Sequence, residues 1–202
     1  MGRMPARRPS PSPPFAPDAA ATLTVPRYDR WPEALRAAER LRGTLVPCGP
    51  GLRGIGWPDT PRVRLAALGG WLGQRRVATL TTAAWVWGAA REPGDPLRLS
   101  TARRGRHTDA PSREIRVQEL CLSPVDVTAL GGFAVTTPLR TAADLLHDPE
   151  GFDRAHEVAV RLLGAQIEGG LPALAARLAD HRRPHRRLAI DRLRRVRGVG
   201  AG

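Results

Sequence analysis

The chain has 202 residues, 42% of them hydrophobic but only 4% aromatic, with 32 basic against 19 acidic residues and a net charge of +13. That is enough for one domain with a small appendage, its core made mostly of Leu, Val and Ala and its large anchors drawn from five tryptophans. Every basic residue is arginine, and without lysine no Walker-type phosphate lysine, Schiff-base lysine or lysine-dependent nuclease centre can form.

A balance this basic attracts polyanions and makes their binding sensitive to salt. A compositional tilt toward Arg, Ala, Gly and Pro is a competing source of the same charge, so its distribution says more than its total. Residues 177–197 hold nine arginines against Asp180 and Asp191, whereas residues 117–176 hold eight acids and three arginines. Such segregation argues for a polyanion-contacting patch, with a solvated arginine-rich helix as the plainer alternative. Cys48 and Cys121 stand far apart with no CxxC spacing, which fits a reducing cytosol better than a disulfide framework. No apolar run approaches the roughly 18 residues of a membrane span, and prolines occupy the place of a signal peptide's apolar stretch. The expectation is a cytosolic protein with no membrane partner.

Residues 1–28 are dominated by Pro, Ala, Arg and Ser and read as a disordered or polyproline-like tail. Pro32 stands where a first helical position falls, and Leu35, Ala38, Glu39 and Leu41 follow at helical spacing until Gly43. Thr44–Pro47 reads as extended. The following stretch to Gly56, with Gly49, Gly51 and Gly54, reads as a tight turn or ribbon tip: the wing of a winged helix with Arg53 reaching a phosphate, or simply a hairpin. It lacks the lysine and the strand–loop–helix context of a phosphate loop.

Asp59-Thr60-Pro61 is a helix-start signal, predicting a helix from Arg62 to Leu72 with Val63, Ala66, Ala67 and Leu72 inward. A second helix is expected from Thr82 to Ala90, with Trp85 and Trp87 on different faces. Leu97–Ser100 and Ile115–Leu120 alternate as half-buried strands do, and a polar loop with Arg103, Arg104, Arg106 and His107 joins them. Ser123-Pro124-Val125-Asp126 is expected to open a short helix ending at Gly131-Gly132, before a third strand, Phe133–Thr136. Thr137-Pro138 then opens a helix through Leu146, in which Arg140 and Asp144 have the spacing of an ion pair that, if exposed, contributes only about 0.3–0.5 kcal/mol. Residues 150–164 read as an amphipathic helix with Phe152, Ala155, Val158, Ala159 and Leu162 on its inner side. Pro172 begins another helix. The last one carries Arg182, Arg183, Arg186, Arg187, Arg192, Arg194, Arg195 and Arg197, with Leu188 and Leu193 as its apolar minority.

Catalysis finds little support. His107, His147, His156, His181 and His185 form no paired metal motif; His181 and His185 are four apart but separated by Pro184 and unaccompanied by Glu. There is no Gly-x-Ser-x-Gly elbow, and Cys48 has no evident base. Asp144, Asp148 and Glu150 read better as helix-end and ion-pair residues than as a metal cluster. The expectation is a non-enzyme with no cofactor and no metal.

Three segments are recognisable together: Pro61 to Leu68, Thr82 to Ala89, and Val135-Thr136-Thr137-Pro138-Leu139-Arg140-Thr141-Ala142-Ala143-Asp144-Leu145-Leu146. With them the chain resembles, over roughly residues 35–195, the actinobacterial branch of the AbiEi-type antitoxins of type IV toxin–antitoxin systems. The resemblance implies a promoter-binding winged helix-turn-helix at the N-terminus and a C-terminal domain that counteracts a nucleotidyltransferase-like toxin. This chain departs from the pattern in having one clear helix before the wing, where a complete winged helix needs three.

The expected architecture is α+β. A disordered tail (1–28) leads to a reduced winged-helix-like segment (29–58). An α+β antitoxin-like domain with a small mixed sheet flanked by helices (59–170) follows, and an arginine-rich helical segment (171–202) ends the chain. The expected function is an antitoxin-like transcriptional regulator that binds DNA through arginine–phosphate contacts from Arg53, Arg62, Arg64, Arg182, Arg183, Arg186 and Arg187. Thr137, Pro138, Arg140, Thr141 and Asp144 form a structural motif. The alternative is a protein-interaction module without DNA affinity that docks a toxin or another partner.

Overall fold

The computed structural model describes residues 24–101, 113–180 and 184–198. The architecture is α+β: a mixed five-stranded sheet flanked by helices, preceded by a helix and a two-stranded hairpin.

The first helix, α1 (Glu33–Leu41), begins one residue later than its sequence suggests, because Pro32 is its N-cap in extended conformation. None of its residues is buried. Gly43 ends it at positive φ, and β1 (Leu45–Cys48) and β2 (Gly51–Gly54) follow as an antiparallel hairpin closed by Gly49-Pro50. The hairpin is seated tightly: a side chain at Gly51 would run into the carbonyl of Ala67. The Thr60 side chain accepts the Val63 amide and Pro61 takes the first position of α2 (Pro61–Ala67), an N-cap followed by Pro as in many helix starts. Where one helix to Leu72 is expected, the chain breaks at Leu68 and continues as the single turn α3 (Gly69–Leu72). The anticipated inward residues Val63, Ala66, Ala67 and Leu72 are all buried.

The sheet has the order β5-β4-β3-β7-β6, from β3 (Arg76–Ala78), β4 (Leu97–Thr101), β5 (Ile115–Gln118), β6 (Val127–Leu130) and β7 (Phe133–Thr136). The two alternating segments of the sequence are β4 and β5, and the third expected strand, Phe133–Thr136, is β7, buried along its whole length. Two further strands complete it. β3 is the central one, antiparallel to β4 and parallel to β7; its three residues are too few for alternation, and Val77 and Ala78 are both buried. β6 replaces the helix expected after Ser123. Only Pro124–Asp126 are helical there, as one 3-10 turn, and Gly131-Gly132 are a hairpin turn rather than a helix end. Both glycines have positive φ, the conformation that a tight two-residue hairpin between twisted strands requires.

α4 (Leu80–Val86) is shorter than expected and ends at Trp87. It belongs to both hydrophobic clusters. Ala83, Trp85 and Val86 pack with α2, α3 and the sheet residues Ala78, Leu99 and Val135. Leu80 and Ala84 pack into a helical cluster with α5 (Pro138–His147), α6 (Arg154–Gly164), α7 (Gly170–Asp180) and α8 (Arg186–Gly198). Leu174 and Leu178 of α7 and Ala189, Leu193 and Val196 of α8 lie in that core.

α6 is turned relative to expectation. Ala159, Val160 and Leu163 are buried, whereas Val158 and Leu162 face solvent. In α8, likewise, Leu193 is buried and Leu188 is exposed. No helix among the described residues is long and apolar enough to cross a membrane.

Candidate functional site

The motif Thr137, Pro138, Arg140, Thr141, Asp144 sits where β7 leaves the sheet and α5 begins. Thr137 caps α5 by accepting the Arg140 amide (3.3 Å), and Pro138 fills the first helical position. The Thr141 hydroxyl donates to the Thr136 carbonyl (3.1 Å), and the hydroxyls of Thr136 and Thr141 are 2.7 Å apart. These bonds fix the angle between strand and helix.

The Arg140–Asp144 pair is buried, with 2% and 5% of each residue exposed, so the weak surface ion pair anticipated from the spacing is replaced by an internal charge centre. Arg140 Nε donates to Asp144, and its Nη1 donates to Asp126 (2.9 Å) and to the Cys121 carbonyl (2.9 Å). Arg177, from α7, donates to the other Asp126 oxygen at 2.6 Å. The Ser123 amide and hydroxyl also donate to Asp126, at 3.0 and 2.7 Å. Two guanidinium groups thus face two carboxylates and the centre is neutral, the condition under which buried charge is tolerated. Burial pushes the Asp126 carboxyl up, but the Ser123 hydrogen bonds and the Arg140 and Arg177 charges outweigh it and hold the carboxyl below its ordinary value. Nothing in the local sequence marks Asp126 or Arg177 as partners of Arg140; the β6–β7 hairpin and the return of α7 bring them there.

The arginines expected to face DNA separate into groups. Arg53 donates to the Trp57 carbonyl (2.7 Å), tying the base of the hairpin. Arg64 donates to both Asp59 oxygens (2.7 Å each) and to the Trp85 carbonyl (2.6 Å), with its guanidinium over the Trp85 ring. Asp59 is held below its ordinary value by the Arg64 hydrogen bonds, and burial pushes the nearby Cys48 thiol up to about 11. Arg62 is half-buried, packed against the Gly131 turn. Arg186 and Arg187 are exposed on α8, Arg186 donating to the Leu178 carbonyl at 3.1 Å. Arg182 and Arg183, like the loop holding Arg103, Arg104, Arg106 and His107, lie outside the described residues.

Arginine in this protein is in good part an internal donor. Arg192 is buried and donates to the carbonyls of Leu146 (2.9 Å) and Asp148 (2.7 Å), closing the end of α5. Arg161 does the same for Val196 at the end of α8, and Arg64 and Arg186 for the last turns of α4 and α7. Helix ends leave carbonyls without intrahelical partners and carry partial negative charge, so a guanidinium satisfies both needs. Burial together with the charge of neighbouring Arg195 lowers the Arg192 pKa, partly offset by Asp148. On the sheet side, Arg98 bridges Asp148 (3.5 Å) and Glu150 (2.7 Å).

What remains for a polyanion is the exposed set. It includes Arg30 and Arg40, which flank and belong to α1, the loop residues Arg75, Arg91 and Arg113, and Arg187 and Arg194 on the side of α8 opposite its buried stripe of Ala189, Arg192, Leu193 and Val196, with Arg195 at the flank over the Phe152 ring. Among the described residues no group of three or more His, Cys, Asp or Glu is placed to hold a metal ion. No family model, no curated protein and no solved structure matches this chain.

Proposed function

We propose that the chain is a non-catalytic, DNA-binding regulator of the AbiEi antitoxin kind, holding DNA through arginine contacts to phosphates. The observation that carries this reading is α1: a complete helix with no buried residue, leading directly into the β1–β2 hairpin. A surface helix ordinarily buries an apolar stripe, and a nine-residue helix has little stability of its own. One that serves the core so little is available to a partner. Arg30 and Arg40 are exposed there, and half-buried Arg36 and exposed Arg42 form ion pairs with Glu33 and Glu39. Such pairs are weak, so exchange of a carboxylate for a phosphate costs little. The exposed arginines of α8 add to the positive field.

The test is fluorescence anisotropy on a duplex spanning the gene's own upstream region, at rising salt. Binding is expected at about 50 mM salt and should fall steeply above it, with Arg40→Ala lowering the log–log salt slope by about 1. Absence of binding at the lowest salt rejects the DNA reading. The resemblance adds a nucleotidyltransferase-like toxin as the activity opposed; co-expression with such a toxin from a neighbouring reading frame, scored by growth rescue, tests that part.

A further inference from the structure

Arg98 of β4 and Arg116 of β5 are direct partners in the parallel register of the sheet, so their two guanidinium groups stand side by side. Like charges directly opposite one another on neighbouring strands repel. An anion between them removes the repulsion, and a distant part of the chain supplies one. The Glu150 carboxylate, on the loop between α5 and α6, accepts from Arg98 Nη1 at 2.7 Å and from Arg116 Nη1 at 2.8 Å, and Arg116 Nη2 pairs with its other oxygen.

One carboxylate does not fill this fork. The Arg98 side chain is 12% exposed, its Nε is buried without a hydrogen-bond partner, and its Nη2 comes only within 3.5 Å of Asp148. Two adjacent guanidinium groups carry more N–H donors than two carboxylate oxygens accept. The Glu150 side chain is 39% exposed and lies between exposed Pro149 and Gly151, so the ion pairs that hold it are of the weak, exchangeable kind. The other charges of this loop have their own places. Asp148 stays beside Arg98, and Arg192 of α8 donates to the Asp148 carbonyl at 2.7 Å. Arg195, also from α8, lies over the Phe152 ring. Asp153 is committed to the N-cap of α6, where it accepts from the His156 amide at 3.0 Å.

We propose that Arg98 and Arg116 form a binding site for a phosphate monoester, and that Glu150 is its built-in competitor, occupying the fork until a terminal phosphate displaces it. A terminal phosphate brings close to two negative charges and three acceptor oxygens, where the carboxylate brings one charge and two oxygens, and paired guanidinium donors bind it with charge-assisted hydrogen bonds. A phosphodiester within a nucleic acid carries a single charge and lacks that advantage over Glu150. Neither arginine is among those assigned to the duplex, so the site does not rest on the DNA reading.

The test is isothermal titration calorimetry of the full chain with inorganic phosphate, with a nucleoside 5′-monophosphate and with the same nucleoside unphosphorylated, at about pH 8 where the phosphates are doubly charged. Glu150→Gln, which removes the competitor's charge, should tighten both phosphates by about fivefold or more, because apparent affinity falls with the fraction of sites left open. The nucleoside should not bind. Arg116→Ala in the Glu150→Gln background should abolish the gain while keeping the circular dichroism melt, since its side chain is half exposed on an edge strand. Glu168→Gln makes the same change in net charge at an exposed position beyond the end of α6, and should bind as the parent does. No phosphate binding by Glu150→Gln, equal tightening by Glu168→Gln, or a gain that survives Arg116→Ala overturns the proposal. So does a Glu150→Gln chain whose duplex affinity rises while neither free phosphate binds, because that places a phosphodiester in the fork.

Discussion

Arg140 donates from Nε to both carboxylate oxygens of Asp144, at 2.9 and 2.8 Å, one helical turn further along α5, and both side chains are buried. Around this pair converge the 3-10 turn at Asp126, the end of β7 and the incoming α7. Its removal is therefore felt by the sheet and the helical cluster together.

Breaking a buried ion pair by truncating one partner leaves the other charge uncompensated, which typically costs about 3–5 kcal/mol. Asp144→Ala should fall in that range in urea titration, and Arg140→Ala should be at least as damaging because it also takes from Asp126 one of its two guanidinium partners, leaving Arg177. Arg140→Lys keeps the charge but loses the fork that reaches Asp144, Asp126 and the Cys121 carbonyl at once, so it should lie between the variants and the parent. A cost below about 1 kcal/mol for Arg140→Ala would place the pair among weak surface bridges.

Asp126 makes stability depend on acid. Its folded pKa is depressed below the ordinary value of 3.8. The stability it contributes is fully present above that unfolded value and is lost as pH falls through the folded one. Urea midpoints measured from pH 6 downward should drop below about pH 4. Asp126→Asn should start from a lower midpoint and show a shallower drop across the same window; parallel curves for the two proteins would remove Asp126 as a source of the dependence.

Arg64 and Arg187 separate structure from binding. Arg64 is held by Asp59, the Trp85 carbonyl and the Trp85 ring, whereas Arg187 is exposed. Arg64→Ala should destabilise the fold by about 1.5–3 kcal/mol, the range for hydrogen bonds to charged groups, with little change in the salt slope of duplex binding. Arg187→Ala should leave the urea midpoint unchanged and reduce that slope by about 1 if it contacts a phosphate. The reverse pattern would move the DNA contact to the Arg64 side of the molecule.

The two thiols should react unequally. Cys48 is buried and its thiol is pushed up to about 11, while Cys121 is exposed. Because the thiolate is the reactive form, a thiol reagent at neutral pH should label Cys121 in the native protein and reach Cys48 only on unfolding. Cys121→Ser should then show almost no native labelling, and Cys48→Ser should label as the parent does.

Local signals were readable where they are complete in a few residues. Thr60-Pro61 and Thr137-Pro138 mark the starts of α2 and α5, alternation marks β4 and β5, and β7 is marked as the short segment between Gly131-Gly132 and Thr137-Pro138. β3 escaped because three residues carry no period, and β6 because Gly131-Gly132 ends a helix and turns a hairpin equally well until a strand pairs across it. The face of α6 was misjudged for a related reason: both of its sides are apolar, and only packing against α5, α7 and α8 chooses between them.

The sequence by itself determined the absence of lysine chemistry, the segregation of charge, the helix caps and the strands with a clear period, because each depends on residue type or on neighbours within one turn or pleat. The tertiary structure decided what the arginines do. Arg40 and Arg187 reach water, whereas Arg140 and Arg192 are buried donors, and nothing within a turn of either buried residue distinguishes it from the exposed ones. A guanidinium has five N–H donors and a long stem, so its role follows from which carbonyl or carboxylate the rest of the chain brings within reach. For Arg140 that partner set includes Asp126, fourteen residues away, and for Arg192 the end of α5, forty-six residues away.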